Sequence, residues 1–399
     1  MTTTFARMLD WFRSGTRQNE DREPSTAIHR ESVSDRDVIR QLKHLRDATA
    51  TLEWSTRRQM AFAEKLLESQ REQRAHEFVR ERVLRRLQRL TRGHGPIIVG
   101  PWTGEVGFEI LYWAPFVRWA IKRFKVDPAR LILISRGGTA SWYGVEGAAY
   151  RDALTLCSAD EFRTRTARER KQRTVRLFDR QLLRQVVREH DGPVSVLHPA
   201  MMYALLAPFW NERTALSWVD QFTSFARIQP PAIPGLQLPE KYVAVRFYFS
   251  KCFPETSQNL TLVSTLVESL AAGTDVVLLG SGTSLDEHRE VMVGRSHRVH
   301  TVDHLLRPEN NLAVQTAVIG GAEAFIGTYG GFSYLAPLCG VDSIALYSRR
   351  NFYPHHLYLA QQVFDSVAGG SLTVMDAVTW PLTRHIAKAA AHASRPAGG

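Results

Sequence analysis

The chain has 399 residues, of which 44% are hydrophobic and 23% charged, so it is long enough for two or three globular domains. Its three cysteines lie too far apart for a CxxC metal pair or a dense disulfide framework, which favours a reducing compartment. No apolar run reaches the ~18–20 residues of a membrane-spanning helix, and charges interrupt the N-terminus where a signal peptide would be apolar. These features predict a cytoplasmic protein.

The net charge of +11 is weighted towards the N-terminus. Residues 1–95 carry 20 Lys and Arg against 14 Asp and Glu, whereas the remainder carries 31 against 26. Both signs are interspersed and no block of about five or six like charges occurs, so the pattern favours a solvated helical surface over a nucleic-acid-binding arm. We therefore expect no nucleic-acid partner.

The first 92 residues differ in texture from the rest of the chain. Residues 5–13 carry one apolar helical face, typical of a short amphipathic helix that docks on an anionic membrane or on the helical region after it; the face comprises Phe5, Met8, Leu9 and Phe12. Residues 14–33 are polar and predict a flexible linker. Residues 34–92 lack Gly and Pro, which predicts long helices arranged as a hairpin or an imperfect coiled coil, with a role in homo-oligomer formation.

An α/β pattern begins at Gly93. The apolar run IIVG is followed by glycines, a helical stretch (FEILYWAPFVRWAIKRF) and two further apolar runs, ARLILIS and GPVSVLHP. Strand, glycine turn, helix and strand in this order are the signature of a parallel sheet, so we predict an α/β domain over 93–229. Four prolines between 230 and 239 then predict an interdomain linker.

A second alternating pattern occupies residues 240–385. Four apolar runs (KYVAVRFYF, TDVVLLGSG, EAFIGTYGG and VDSIALYS) are separated by stretches of helical character. The regular alternation predicts a second doubly wound sheet, and two such sheets place a ligand crevice between them. Residues 386–399 are expected to form a disordered tail.

Two glycine turns at predicted strand ends are candidates for phosphate binding. Backbone N–H groups and hydroxyls at a helix start can hold a diphosphate, although each turn would also serve as a plain strand-to-helix connection. The candidate residues are Gly280, Ser281, Gly282, Thr328, Gly330, Gly331 and Ser333. No GxGxxG or GxxxxGK[ST] motif supports a nicotinamide or P-loop site, and no HExxH or DxD arrangement suggests a metal, so we expect neither a cofactor nor a metal.

The second half resembles the donor-binding half of two-domain GT-B glycosyltransferases, in particular the heptosyltransferase-like group. That group carries a pattern near F-I-G-x-D-S-G-x-x-H-L-A, which this chain matches at Phe325, Ile326, Gly327, Gly331, Leu335 and Ala336. Tyr329, Gly330 and Tyr334 stand where the group has Asp, Ser and His. The resemblance also implies that Arg246, at the tip of the run KYVAVR, faces the donor phosphates. The alternative is an arginine that faces solvent or forms an ion pair.

The first half resembles the same group more weakly, through a strand, a Gly-acid turn and a helix. The resemblance implies that Glu105 faces the cleft, where it would act as general base for the acceptor hydroxyl, with Glu109 in reserve. The alternative for Glu105 is a residue that complements the helix dipole. The loop after the second strand offers acceptor contacts through Arg136, Trp142 and Tyr143, and the alternative is an ordinary exposed turn anchored by the Trp.

The resemblance implies a fold of two doubly wound Rossmann-like domains of GT-B type, preceded by a helical region. It also implies a metal-independent glycosyltransferase of bacterial surface polysaccharide assembly, with a nucleotide-sugar donor and a glycan or lipid-linked acceptor. The helical N-terminus adds the expectation of peripheral contact with the inner membrane. The alternative is a non-catalytic GT-B-like protein that oligomerises or docks on membranes through that region, and a phosphosugar epimerase is a third reading.

Overall fold

The computed structural model describes residues 35–167, 171–280 and 297–378. The chain falls into two compact units, one ending at Glu72 and the other beginning at Gln73. The amphipathic helix expected over 5–13, the linker over 14–33 and the tail over 386–399 lie outside the described residues.

The N-terminal region forms one continuous helix, α1 (Asp35–Arg92), of 58 residues. Of the two arrangements that the sequence leaves open, the helical hairpin is therefore wrong, because the helix continues unbroken through a run of strong helix formers without Gly or Pro. The coiled coil stays a prediction. Within the first unit the helix exposes large apolar side chains, namely Leu52, Trp54, Met60, Phe62, Leu66 and Leu67. Within the second unit, Val83 and Leu87 of α1 are buried in the main hydrophobic core.

The first half of the second unit contains a four-stranded parallel sheet in the order β3-β2-β1-β4. Its strands are β1 (Ile97–Val99), β2 (Leu131–Ser135), β3 (Ala149–Asp152) and β4 (Ser195–Leu197). Three of the four strands were predicted from apolar runs. The exception is the edge strand β3, whose sequence AYRD is too polar to be predicted as a buried strand.

One helical stretch follows β1, in three consecutive pieces: α2 (Val106–Phe108), a π-helical turn (Glu109–Trp113) and α3 (Ala114–Phe124). Short elements complete this half: a 3₁₀ turn (Pro128–Arg130), α4 (Ala140–Tyr143), α5 (Ala153–Leu156), α6 (Ala159–Thr166), α7 (Leu177–Val187), α8 (Ala200–Trp210) and α9 (Leu216–Asp220).

The second half contains a six-stranded parallel sheet in the order β10-β9-β8-β5-β6-β7. Its strands are β5 (Tyr242–Arg246), β6 (Asp275–Leu278), β7 (Val299–Thr301), β8 (Ala324–Thr328), β9 (Asp342–Tyr347) and β10 (Leu372–Asp376). Its helical elements are α10 (Ser257–Ala271), a 3₁₀ turn (Asp303–Leu305), α11 (Asn311–Gly320), α12 (Gly331–Leu338) and α13 (Pro354–Ser366).

Both sheets are Rossmann-like, which confirms the expected fold class of two doubly wound sheets preceded by a helical region. Counted from its own first strand, the second sheet has the order 3-2-1-4-5-6, and the first sheet has the order 3-2-1-4. In such sheets a ligand crevice opens at the carboxyl ends of strands one and four, where the winding reverses. The crevice positions are therefore the ends of β1 and β4 in one half and the ends of β5 and β8 in the other.

The connection between the halves is a packed strap, residues 227–239. The Ile228 N–H donates to the Leu338 carbonyl at 2.8 Å, and the Arg227 guanidinium donates to the Cys339 carbonyl. A Cβ atom on Gly320 would lie 2.0 Å from Pro230 Cγ. The proline-rich segment thus lies directly on the second half.

The two halves also bond to each other behind the crevice. The Ala313 N–H of α11 donates to the Gly137 carbonyl at 2.8 Å, and Trp142 Nε1 donates to Thr316 Oγ1 at 2.9 Å. These bonds fix the carboxyl ends of the two sheets relative to each other. Among the described residues, no helix combines the length and the apolar character needed to cross a bilayer.

Candidate active site

A cavity of about 620 Å³ lies between the carboxyl ends of the two sheets. Its lining includes the turns after β1, β5 and β8, three of the four crevice strands, together with parts of α6, Lys171 and residues between 351 and 356. Within the described part of the chain, Glu105 is the one carboxylate that lines the cavity, whereas Arg163, Lys171, Arg246 and Lys251 are cations. The cavity is therefore electropositive and has the size of pockets that hold small ligands, ~300–1,000 Å³.

Glu105 lines this cavity at the start of α2. It has an extended backbone conformation and its carbonyl accepts the Glu109 N–H at 3.1 Å, while its side chain caps no N–H group of the helix. The carboxylate acts electrostatically on Lys171 and Tyr203. The structure thus places Glu105 where the resemblance implies, at the cleft.

The turn before Glu105 is held by side chains that stand far away in the sequence. The Thr103 N–H donates to Gln172 Oε1 at 2.9 Å, and Gln172 Nε2 donates to the Pro101 carbonyl at 2.8 Å. Arg136 Nη2 donates to the Gly104 carbonyl at 2.8 Å. Because backbone donors and acceptors of the turn are bound on several sides, the position of Glu105 is fixed before any ligand binds.

Arg136 therefore acts on the turn rather than on the cavity. Its side chain is buried and does not line the cavity. Trp142 and Tyr143 are also buried, and Tyr143 donates to a carboxyl of the core. The expectation that these three residues contact the acceptor is corrected, because α4 turns both rings into the packed core between the halves.

Glu109 is fully buried and stands behind the cavity wall. One of its carboxyl oxygens, Oε1, accepts three hydroxyls, from Ser135 at 2.5 Å, Tyr143 at 2.8 Å and Thr139 at 3.1 Å. Burial raises the pKa of this carboxyl to about 7, although the bonds from these hydroxyls and the charge of Arg136 act in the opposite direction. The expectation of a reserve base is corrected, since the hydroxyls enclose the carboxyl in the core.

On the second half, Arg246 ends β5 and lines the cavity. Its guanidinium carbon lies 3.9 Å from the centre of the Phe332 ring, a cation–π contact that fixes the charge at the start of α12. Gly330 and Gly331 line the same wall. The structure thus brings Arg246, Gly330, Gly331 and Glu105 together.

The other expected donor residues lie elsewhere. Thr328 Oγ1 bonds to the backbone of Tyr248, and Ser333 Oγ bonds to the backbone of Gly330, so both hydroxyls support the wall without lining the cavity. Gly280 follows β6 and does not line the cavity. Ser281 and Gly282 lie outside the described residues.

Two side chains that sequence reasoning did not select also face the cavity. Lys171 Nζ lies 5.0 Å from the centre of the Phe108 ring and 6.0 Å from that of Tyr353, so aromatic rings from both halves flank it. Burial lowers the pKa of the Lys171 ammonium, while the Glu105 carboxylate acts in the opposite direction. Lys251 lines the cavity and follows β5 in the segment FYFSKCFP. It stands five residues after the strand-end residue Arg246, and this closeness in the sequence was the available signal.

A histidine joins the halves at the cavity wall. His356 Nδ1 and the Tyr112 hydroxyl form a hydrogen bond of 2.5 Å, and both side chains line the cavity. Burial, and then the charge of His355, lower the pKa of His356 to about 3, so the ring is neutral and accepts the hydroxyl. The pair His355-His356 after Pro354 was the sequence signal for this contact.

Groups of three or more His, Cys, Asp or Glu side chains that could hold a metal ion do not occur within residues 35–167, 171–280 and 297–378. No family model matches the chain, and no curated protein matches it.

Several solved structures are similar to the chain, and all of those described next are glycosyltransferases. The glycosyl transferase family 9 protein of Veillonella parvula DSM 2008 is 12% identical, over 75% of this chain and 90% of that one, with a TM-score of 0.39. The E. coli heptosyltransferase WaaC with ADP is 13% identical, over 70% and 93%, with a TM-score of 0.38. The E. coli ADP-heptose lps heptosyltransferase II is 12% identical, over 70% and 90%, with a TM-score of 0.35.

Proposed function

We propose that the protein transfers a sugar from a nucleotide-sugar donor to an acceptor hydroxyl in the cavity between the two sheets. The observation that carries this proposal is the make-up of the cavity, in which a single carboxylate, Glu105, faces four cations among the described residues. A nucleotide diphosphate is negatively charged and is attracted to such an electropositive cavity. The carboxylate supplies the base that the acceptor requires.

The donor phosphates are proposed to lie against the second half. Arg246 and Lys251 are both on this half, and α12 begins at Gly331 in the cavity wall. The N–H groups of a helix start and a guanidinium bind phosphate oxygens together, by dipole and by charge-assisted hydrogen bonds. As the sugar leaves, these groups would stabilise the diphosphate that departs.

Glu105 is proposed to receive the proton of the acceptor hydroxyl. It lines the cavity from the first half, Arg246 lines it from the second half, and the turn of Glu105 is held by Gln172 and Arg136. A general base of this kind contributes ~10²–10⁴-fold to a rate, and positioning of the two substrates supplies the rest. The proposed mechanism needs no metal ion.

Calorimetry with a panel of uridine, adenosine and guanosine diphosphate sugars tests the donor site. One of them should bind the wild-type protein, and Arg246→Met should weaken it by about 10- to 150-fold, the equivalent of one charge-assisted hydrogen bond of ~1.5–3 kcal/mol. Arg180→Met is the matched control, because Arg180 is exposed on α7 away from the cavity. If no nucleotide sugar binds the wild-type protein, the proposal fails.

Product analysis then separates the candidate activities. Transfer requires that sugar leaves the nucleotide and appears on an added acceptor. A changed nucleotide sugar without any acceptor would indicate an epimerase instead. Tight binding with neither outcome across the acceptors tested would favour the non-catalytic alternative.

We further propose that the acceptor is a glycan or a lipid-linked sugar of bacterial surface polysaccharide assembly, and that the enzyme works at the cytoplasmic face of the inner membrane. Oligomer formation through residues 34–92 is part of the same proposal. It is supported by the exposed apolar side chains that α1 carries within the first unit, such as Trp54 and Phe62. Sedimentation of the full chain against Trp54→Ser/Phe62→Ser tests it, because the variant should be monomeric.

A further inference from the structure

The last four turns of α1 carry an unusual charge distribution. Residues 79–92 contain six arginines and one glutamate. Five of these arginines are exposed, and we call them the arginine stripe: Arg82, Arg85, Arg86, Arg89 and Arg92. The sixth, Arg80, forms an ion pair with Glu77 at 2.8 Å.

The arginine stripe occupies one side of the helix. At about 100° per residue its five members fall within an arc of roughly 120°, and the spacing 82, 85, 86, 89 places them in neighbouring turns. Val83 and Leu87 lie outside this arc and are buried in the core of the second unit. Packing of Val83 and Leu87 therefore orients this part of the helix so that the arginines face away from the core of the second unit.

An exposed aromatic side chain lies in the same arc. Phe78 stands one turn before Arg82, and its side chain is 61% exposed. Along the helix, Phe78 and Arg92 are about 21 Å apart at ~1.5 Å per residue. Arg85 forms an ion pair with Glu81 at 3.4 Å, which neutralises one charge of the five.

We propose that this surface docks on an anionic lipid bilayer. Clusters of ~4–8 Lys and Arg on one helical face match the negative surface of a membrane, and each guanidinium can bind a headgroup phosphate through two N–H groups. An aromatic ring within the cluster enters the headgroup layer, as in helices that lie in a membrane interface. Nucleic acid is the less favoured partner, since the helix is packed along one side and offers a straight row of charges without a groove.

The inference deepens the membrane contact proposed above by assigning its surface. Its test uses vesicles and no sugar. The docking proposal can therefore fail while the proposed sugar transfer stands, and the reverse also holds. The site also differs from the amphipathic stretch 5–13, which the full chain retains in every arm of the experiment.

The experiment compares two triple variants of the full chain in vesicle co-sedimentation. The test variant is Arg82→Gln/Arg86→Gln/Arg89→Gln, and the control is Arg180→Gln/Arg184→Gln/Arg188→Gln. The control changes the net charge equally, also at exposed arginines of a helical surface in the same unit. Circular dichroism confirms that both variants keep the fold.

With vesicles of phosphatidylserine and phosphatidylcholine, the test variant should lose on the order of a hundredfold in partitioning, because each arginine near the surface contributes ~1 kcal/mol. The control should stay within a few-fold of the wild type, and added salt should weaken wild-type binding. Equal losses in both variants, wild-type binding by the test variant, or equal binding to pure phosphatidylcholine would each overturn the proposal. Tighter binding to duplex DNA or RNA than to the vesicles at the same salt would also overturn it.

Discussion

A Cβ atom placed on Gly331 would lie 2.7 Å from the backbone nitrogen of Gly107, so the first turns of two helices from opposite sheets are in direct contact. A Cβ at this position would also lie 2.8 Å from Val106 Cγ1. Glycine is therefore required here for close packing between the halves, in addition to its place in the cavity wall.

We expect Gly331→Ala to lower the free energy of unfolding by ~1–3 kcal/mol, because the added methyl group meets backbone that cannot turn aside. Urea unfolding of the full chain measures the change. Gly93→Ala is the control, since nothing lies within 4 Å of the position that its Cβ would take. Equal stability of Gly331→Ala and wild type would contradict the contact.

Glu105→Gln should reduce the rate of transfer by ~10²–10⁴-fold and leave donor affinity within a few-fold, since the amide keeps the size of the side chain and cannot take a proton. Steady-state kinetics and calorimetry measure the two quantities. Glu268→Gln, at an exposed side chain of α10 away from the cavity, is the control. Turnover near the wild-type rate in Glu105→Gln would leave the mechanism without its base.

Glu109 should make stability fall as the pH rises. Its folded-state pKa is raised from 4.5 to about 7, so between these values the unfolded chain loses a proton that the folded chain keeps. The stabilisation is complete below pH ~4.5 and is lost through pH ~7, by on the order of 3 kcal/mol. Urea unfolding from pH 5 to 8 should show this decline in wild type and a flatter profile in Glu109→Gln, whose amide oxygen still accepts hydroxyls. Parallel profiles would contradict the assignment.

Tyr112→Phe should cost ~1–3 kcal/mol of unfolding free energy, because it leaves the buried Nδ1 of His356 without its donor. Tyr358→Phe on the same helix as His356 is the control, as that side chain is 61% exposed. Thermal and urea unfolding should agree on the ranking. A loss no larger than that of the control would show that the bond contributes nothing.

Apolar runs and glycine turns predicted the central strands and the helices beside them, because buried parallel strands are apolar on both faces. The edge strands β3, β7 and β10 escaped prediction, since short edge strands tolerate polar residues such as those of AYRD and VHT. The order of the strands within each sheet decides which strand ends form the crevice. That order depends on long-range pairing and could not be obtained from composition.

Residues that directly follow predicted strands, Glu105 and Arg246, were expected in the cleft and do line the cavity. Residues further along the same loops and helices, such as Glu109, were expected there and are buried elsewhere. Glu105 and Glu109 are one helical turn apart, yet the first faces the cavity and the second is enclosed by three hydroxyls. Glu105 precedes α2 in an extended conformation, so helical spacing does not place it on the same face as Glu109. Lys171 reaches the cavity only through tertiary packing, which no local pattern records.

The strap of residues 227–239 limits where the chain can be joined to a half of another enzyme in a chimera. Arg227 and Ile228 bind the backbone at the end of α12, and Pro230 fills the space beside Gly320. A chimera that joins this first half to the donor half of another enzyme would have to keep the strap together with the second half that it contacts. A junction placed before Arg227 preserves these contacts, whereas a junction within 230–239 divides them between two parents.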